Sequence, residues 1–310
     1  MSVNTVKVGT IGPVLLLLWA ATFWGVVWYP LRLLEAAGLS GLWTTWVIFT
    51  VAALPGLWLA WPHRHVLWEQ PGLLLLIALA NGWLNTAFVL AILDGNVVRV
   101  LLLFYLSPLW STLLAWWWLG ERPSRFGLAT LAVAMAGALL MLWNPQLGFP
   151  WPQDQADWLA ISAGIGFSFS NVAVRRLKHM PVIIKAAVTW WGVVVVAGIW
   201  ILFTQASMPA ISSGAWIGAV ALGVLGVLGA SLALIYGVEK MPVHRSAVIL
   251  LFELVAGAVS SQLLTNEIVT TIEWFGGALI ILAAYLSVQR AGDGPGEGHL
   301  QKITKEKKSS

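Results

Sequence analysis

One carboxylate stands out for its surroundings. Glu253 sits near the middle of the apolar run Arg245 to Glu267, RSAVILLFELVAGAVSSQLLTNE. An acid at the centre of a membrane helix costs about 2.5–3.5 kcal/mol on insertion scales, so it must face the protein interior or a water-filled cavity. Gly257, Ser260 and Ser261 follow it at i+4, i+7 and i+8, which puts a small polar stripe on the same helical face. Two chemistries suit such a group: contact with a substrate amine, or uptake and release of a coupling proton. A structural Glu hydrogen-bonded to a neighbouring helix is the plain alternative.

The same run has an ungapped counterpart 146 residues earlier, Arg99 to Glu121, RVLLLFYLSPLWSTLLAWWWLGE. Ser107-Pro108 stands where the later copy has Glu253-Leu254. Proline removes a backbone donor and frees a carbonyl one turn back, and in a membrane that carbonyl must be satisfied by neighbours or cavity water. A hinge, a cavity lining or a simple packing kink would each use this pair. Tyr105 and Trp110 flank it and offer aromatic faces to a substrate. Asn81, Asn85 and Phe88 share one helical face at i, i+4 and i+7, while Ser168, Asn171 and Arg175 follow at i, i+3 and i+7 on another segment. Amides and hydroxyls at membrane depth need partners or water, and they also serve as interhelical glue worth about 0.6 kcal/mol each. Of 21 tryptophans most fall near segment ends, where an interfacial belt explains them; Trp24, Trp83 and Trp110 lie deeper.

Enzymatic constellations are missing. There is no cysteine, no GxxxxGK[ST] loop and no HExxH, and the five histidines sit at segment ends or in the tail. The reading is therefore no enzyme, no cofactor, no metal, and no basic face for nucleic acid. Chemistry at Glu253 would serve binding and coupling of a small-molecule substrate.

Such residues need long apolar helices to hold them. The chain is 59% hydrophobic and 10% charged, against about 25% charged in soluble domains. An all-α polytopic membrane protein follows, its surface in contact with the lipid bilayer. Ten transmembrane helices are predicted over 11–34, 40–61, 72–93, 97–119, 124–143, 156–177, 182–204, 213–238, 243–264 and 272–289. His63-Arg64-His65 reads as a polar turn. The first segment is too long for a signal h-region and is expected to be retained. In the eighth, GAWIGAVALGVLGVLGAS spaces small residues four apart, a helix-packing pattern rather than a binding motif.

The Pro-rich stretch NPQLGFPWPQDQAD divides five spans from five. Predicted parts are a cytoplasmic N-terminus (1–10), a first five-helix repeat (11–143), an inter-repeat loop (144–155), a second repeat (156–290) and a disordered basic cytoplasmic tail (291–310). With both termini cytoplasmic, 15 of the 17 Lys and Arg residues fall on that side and only Arg32 and Arg99 opposite. An odd number of spans per half inverts the second repeat relative to the first. A looser match pairs Arg32 with Arg175. Inverted repeats place transporter sites near the bilayer midplane.

With these residues in place, the chain resembles the EamA-type family of the drug/metabolite transporter superfamily over about residues 11 to 290. LSPLWSTLLAWWWLGERP, LLFELVAGAVSSQLLTNE and the opening TFWGVVWYPLR carry the resemblance. Leu254, Thr265 and Asn266 depart from its pattern. The resemblance implies a central cavity among spans 1–4 and 6–9 with spans 5 and 10 peripheral. It also implies export of small metabolites, amino acids or amphipathic drugs, from a bacterial cytoplasmic (inner) membrane. Substrate or coupling contacts are expected at Glu253, Asn81, Asn85, Tyr105, Ser107, Pro108, Trp24, Ser168, Asn171 and Trp110, in a monomer or homodimer. A non-transporting scaffold or sensor, or a lipid-carrier flippase component, is the alternative.

Overall fold

The computed structural model describes residues 8–95, 97–143, 152–264 and 269–289. Among them ten helical segments follow one another without a strand. They are α1 (8–36), α2 (Gly41–Trp68), α3 (Pro71–Asp94), α4 (97–119), α5 (Arg125–Leu142), α6 (Gln155–Arg176), α7 (Val182–Thr204), α8 (Ser213–Lys240), α9 (Val243–Leu264) and α10 (Thr271–Gln289). Nine are long and apolar enough to cross a membrane. The exception is α6, whose apolar content is lowered by Asp157, Asn171, Arg175 and Arg176. Leu57, Leu75, Leu113, Leu202, Phe203 and Leu225 point outward from the bundle. Helices that are apolar all round need lipid outside and packing inside. The chain is thus a multi-pass membrane protein.

Packing pairs repeat across the two halves. α3 lies on α6 as α8 lies on α1; α4 lies on α6 as α9 lies on α1; α3 crosses α7 as α8 crosses α2. α2 with α7, α4 with α9 and α5 with α10 close the set, each a helix against its own counterpart. Each half therefore interlocks with the other instead of forming a separate bundle.

Glycines set how close these crossings come. A Cβ on Gly192 of α7 would lie 2.2 Å from the Ala78 carbonyl oxygen of α3, and one on Gly223 of α8 would lie 2.7 Å from the Ile48 oxygen of α2. Gly137 and Gly276 face each other's carbonyl oxygens across α5 and α10 at 2.5 and 2.6 Å by the same measure. Small residues let backbones touch where lipid supplies no hydrophobic drive. The glycine pattern of α8 is used this way, against α1 and α2: Gly226 meets the Phe23 ring and Gly229 the Trp19 ring.

Three segments are discontinuous. α1 breaks at Val27, where Pro30 withholds the N–H that the Val26 carbonyl would accept. α4 breaks at Tyr105-Leu106, where Pro108 does the same to Phe104, and Leu106 N–H bonds instead to Leu103 O at 3.3 Å. α9 breaks at Leu251 without a proline, with Leu254 N–H on Leu251 O at 3.1 Å. Tyr105 and Leu251 are 146 residues apart, the offset of the sequence repeat.

Two readings of the sequence are corrected. His63-Arg64-His65 is not a turn: α2 continues through Trp61–Trp68 as a 3-10 helix started by Pro62. Ala115–Leu119 in α4 and Leu222–Leu228 in α8 are π-helical, which a hydrophobic period does not reveal. Glu267 with Thr265 and Asn266, the loop residues 144–151, and everything from Arg290 onward lie outside the described residues.

Candidate functional site

The two breaks meet. Tyr105, buried at the break of α4, has its phenol beside the carboxylate of Glu253, which stands in the first turn after the break of α9. Tyr105 also touches Phe104 edge-on at 5.4 Å between ring centroids. Phe104 in turn packs on Phe88 of α3 at 4.9 Å and on Phe167 of α6 at 5.9 Å. The waist therefore joins one carboxylate, one phenol and a run of three phenylalanine rings. Glu253 remains half-buried while Tyr105, Ser107 and Pro108 are buried.

Two matching seams flank the carboxylate. On one side Ser168 of α6 lies 2.9 Å from the carbonyl oxygens of both Ser107 and Gly164 and accepts the Ser111 hydroxyl at 3.0 Å. Gly164 fits under Phe104, since a Cβ there would stand 2.9 Å from the Phe104 oxygen. On the other side Gly25 of α1 fits under Glu253, where a Cβ would stand 2.4 Å from its carbonyl oxygen. Trp28 donates to Ser260 at 3.0 Å across the same α1–α9 seam. Ser168 and Gly25 are 143 residues apart, the offset between Arg175 and Arg32. The pseudo-two-fold thus places α6 on α4 as it places α1 on α9.

The remaining candidate residues divide. Asn81 donates to its own helix at Ile77 O (3.0 Å) and to Ser170 of α6, so it ties α3 to α6. Asn85 donates to Asn81 O at 3.0 Å and stays half-buried. Asn171 is buried. Trp24 packs edge-on to Phe23 at 5.2 Å, and the Trp110 indole N–H is buried without a partner among the described residues. Trp83 belongs elsewhere: it donates to Ser162 at 3.1 Å in an apolar groove of about 370 Å³ between α3 and α6 that Glu253 does not line.

Sequence reasoning missed a buried ionic network at the end of the bundle where α4, α6 and α8 finish and α7 and α9 begin. Lys185 of α7 is fully buried, and its Nζ bonds to the Glu239 carboxylate of α8 and to Leu177 O at 3.1 Å. Lys240 adds a second cation to Glu239 at 2.9 Å. Arg175 donates to the Glu239 carbonyl and to Glu121 Oε1 at 2.8 Å, and Glu121 Oε2 accepts the Val243 N–H at 3.0 Å. Glu121 is turned toward this network by Gly120, whose φ of 69° is one that L side chains seldom adopt. Five helix ends are tied together here. At the far end Arg99 and Asp157 form a buried two-pronged pair at 3.3 and 2.5 Å that joins the starts of α4 and α6. Lys185 and Glu239 did leave a trace in the sequence, because each is a charge set inside an apolar run.

Two halves related by repeated crossings, with discontinuous helices meeting at a mid-span acid, make a two-repeat helical fold, and internal repeats are a common architecture of membrane transporters. The EamA-like transporter family matches residues 11–143 and 155–289, one match per half, and the chain belongs to that family. An uncharacterized transporter of Pseudomonas aeruginosa is 26% identical over 142 residues, which cover 46% of this chain and 43% of that protein. The matched stretch thus spans less than half of the relative. A solved crystal structure with 22% sequence identity superposes with a TM-score of 0.68, covering 89% of this chain and 96% of that chain, and so shares its fold. Family and relative alike point to a transporter rather than an enzyme.

Proposed function

We propose that this protein is a secondary transporter that exports small organic metabolites, amino acids or amphipathic drugs, by alternating access through the waist between its repeats. The observation that carries this reading is the meeting of the two broken helices, α4 at Tyr105 and α9 just before Glu253, with phenol and carboxylate side by side. Breaks at equivalent depth let the half-helices tilt on either side of a common layer, and the acid in that layer receives either a substrate amine or a proton. Glu253 and Tyr105 form the contact, with Ser107, Pro108, Trp24, Trp110, Asn81, Asn85, Ser168 and Asn171 shaping or stiffening its walls.

In this reading α6 crosses the membrane as the tenth helix: its Asp157 and Arg175 are neutralised by partners at its two ends, and its middle is packed among α3 and α4. The repeats run 11–143 and 156–290, joined by loop 144–155, with both termini in the cytoplasm of a bacterium and the chain acting as monomer or homodimer in its inner membrane. Flux in proteoliposomes tests the proposal, over a panel of amino acids and amphipathic drugs with and without a pH gradient. The expected result is movement of at least one solute and loss of its pH dependence in Glu253→Gln. If no solute moves, the transporter reading fails; unchanged pH dependence in the variant removes Glu253 from the coupling.

A further inference from the structure

The extension of α2 past Ala60 serves no obvious purpose in a tight connection to α3. Eight residues, Trp61–Trp68, wind as a 3-10 helix before Pro71 opens the next segment. In that geometry residues three apart eclipse one another. Trp61, Arg64 and Leu67 therefore form one row, Pro62, His65 and Trp68 a second, and His63, Val66 and Glu69 a third. Val66 of the third row is buried at 8% exposure and pins the segment to the bundle. Trp61, Arg64, His65 and Trp68 are exposed and, with the half-buried Leu67 that packs on the core, line an open hollow of about 510 Å³.

Charge and aromatics are arranged in this hollow in a specific way. The Arg64 guanidinium stacks over the Trp61 ring at 4.8 Å and donates one N–H to the Trp61 carbonyl at 3.1 Å. Arg64 is exposed, and among the described residues no carboxylate pairs with it. Trp61 and Trp68 are 64% and 83% exposed, at the end of a helix that crosses a membrane. Indoles at such a position sit with their rings at headgroup level. A held guanidinium with free, forked donors matches a phosphate diester.

We propose that Trp61–Trp68 is a binding site for one anionic phospholipid, with Arg64 on the headgroup phosphate and Trp61 and Trp68 against the glycerol and upper acyl chains. The site lies apart from Glu253 and does not rest on the transport reading. It is tested on the full chain in detergent by native mass spectrometry, titrating phosphatidylglycerol or phosphatidylcholine, with and without inorganic phosphate as competitor. One phosphatidylglycerol adduct is expected to bind about tenfold more weakly in Arg64→Gln, and to weaken also in Trp68→Ala, a residue too exposed to disturb folding. Arg122→Gln, at another exposed arginine, is expected to leave it intact. Equal binding of phosphatidylcholine, displacement by inorganic phosphate, or an unchanged adduct in Arg64→Gln would each overturn the proposal.

Discussion

Lys185 and Glu239 offer a sharp test of how this bundle is held. Both side chains are shut from solvent, at 0% and 4% exposure, yet their surroundings differ. Glu239 has two cations, Lys185 and the 43% exposed Lys240. Lys185 has one carboxylate and the Leu177 carbonyl. Removing the acid therefore strands a buried ammonium, whereas removing the lysine leaves the acid with Lys240. Stranding a buried charge costs about 3–5 kcal/mol. Losing charged hydrogen bonds while a counter-ion remains costs about 1.5–3 kcal/mol. Replacing both by apolar residues of similar size is often neutral or better.

Glu239→Leu is thus expected to destabilise more than Lys185→Met, with the double variant recovering to near the parent. The Arg175 bond to Glu239 survives all three, because it uses the backbone carbonyl. SDS-titrated equilibrium unfolding of the purified chain in mixed micelles measures each step. A double variant whose loss equals the sum of the singles would refute the reasoning, since the pair would then be uncoupled. Equal losses in the two single variants would refute the asymmetry assigned to Lys240.

Other consequences are as concrete. Gly192→Leu is expected to abolish folded protein, because even its Cβ would stand 2.2 Å from a backbone oxygen that cannot move aside; Gly72→Ala, with nothing within 4 Å, is expected to match the parent in size-exclusion yield. Arg99→Lys is expected to lower the unfolding midpoint nearly as far as Arg99→Gln, since an ammonium cannot reproduce the two-pronged contact with Asp157.

Much of the fold is legible in the sequence because the chain states it twice. Arg99 and Arg245 announce the same helix at a fixed offset, and the structure breaks both copies at that same offset, at Tyr105 and Leu251. The proline explains only the first break, so a reading based on Pro108 alone would have predicted one bent helix and one straight one. Glu253 is conspicuous as a mid-span acid, and Tyr105 as a residue near the kink, but their approach joins positions 148 apart and depends on how far each helix turns. The sequence does mark α6, as the predicted span 156–177, although its charges lower its apolar content; each of those charges meets a partner in the fold.

The ionic network left only a faint trace, for a different reason. Lys185 contributes to a count of positive residues whether it faces water or sits buried against Glu239, and a topology argument uses only the count. Its first-half equivalent by the 143-residue offset is Leu42, and that of Glu239 by the 146-residue offset is Leu93. The repeat therefore predicts packing well and charge poorly. Glycine crossings recur because both halves must solve the same problem of bringing backbones together. A buried ion pair has no such need to recur in kind: the Lys185–Glu239 network closes one end of the bundle and the Arg99–Asp157 pair the other, with different partners on different helices.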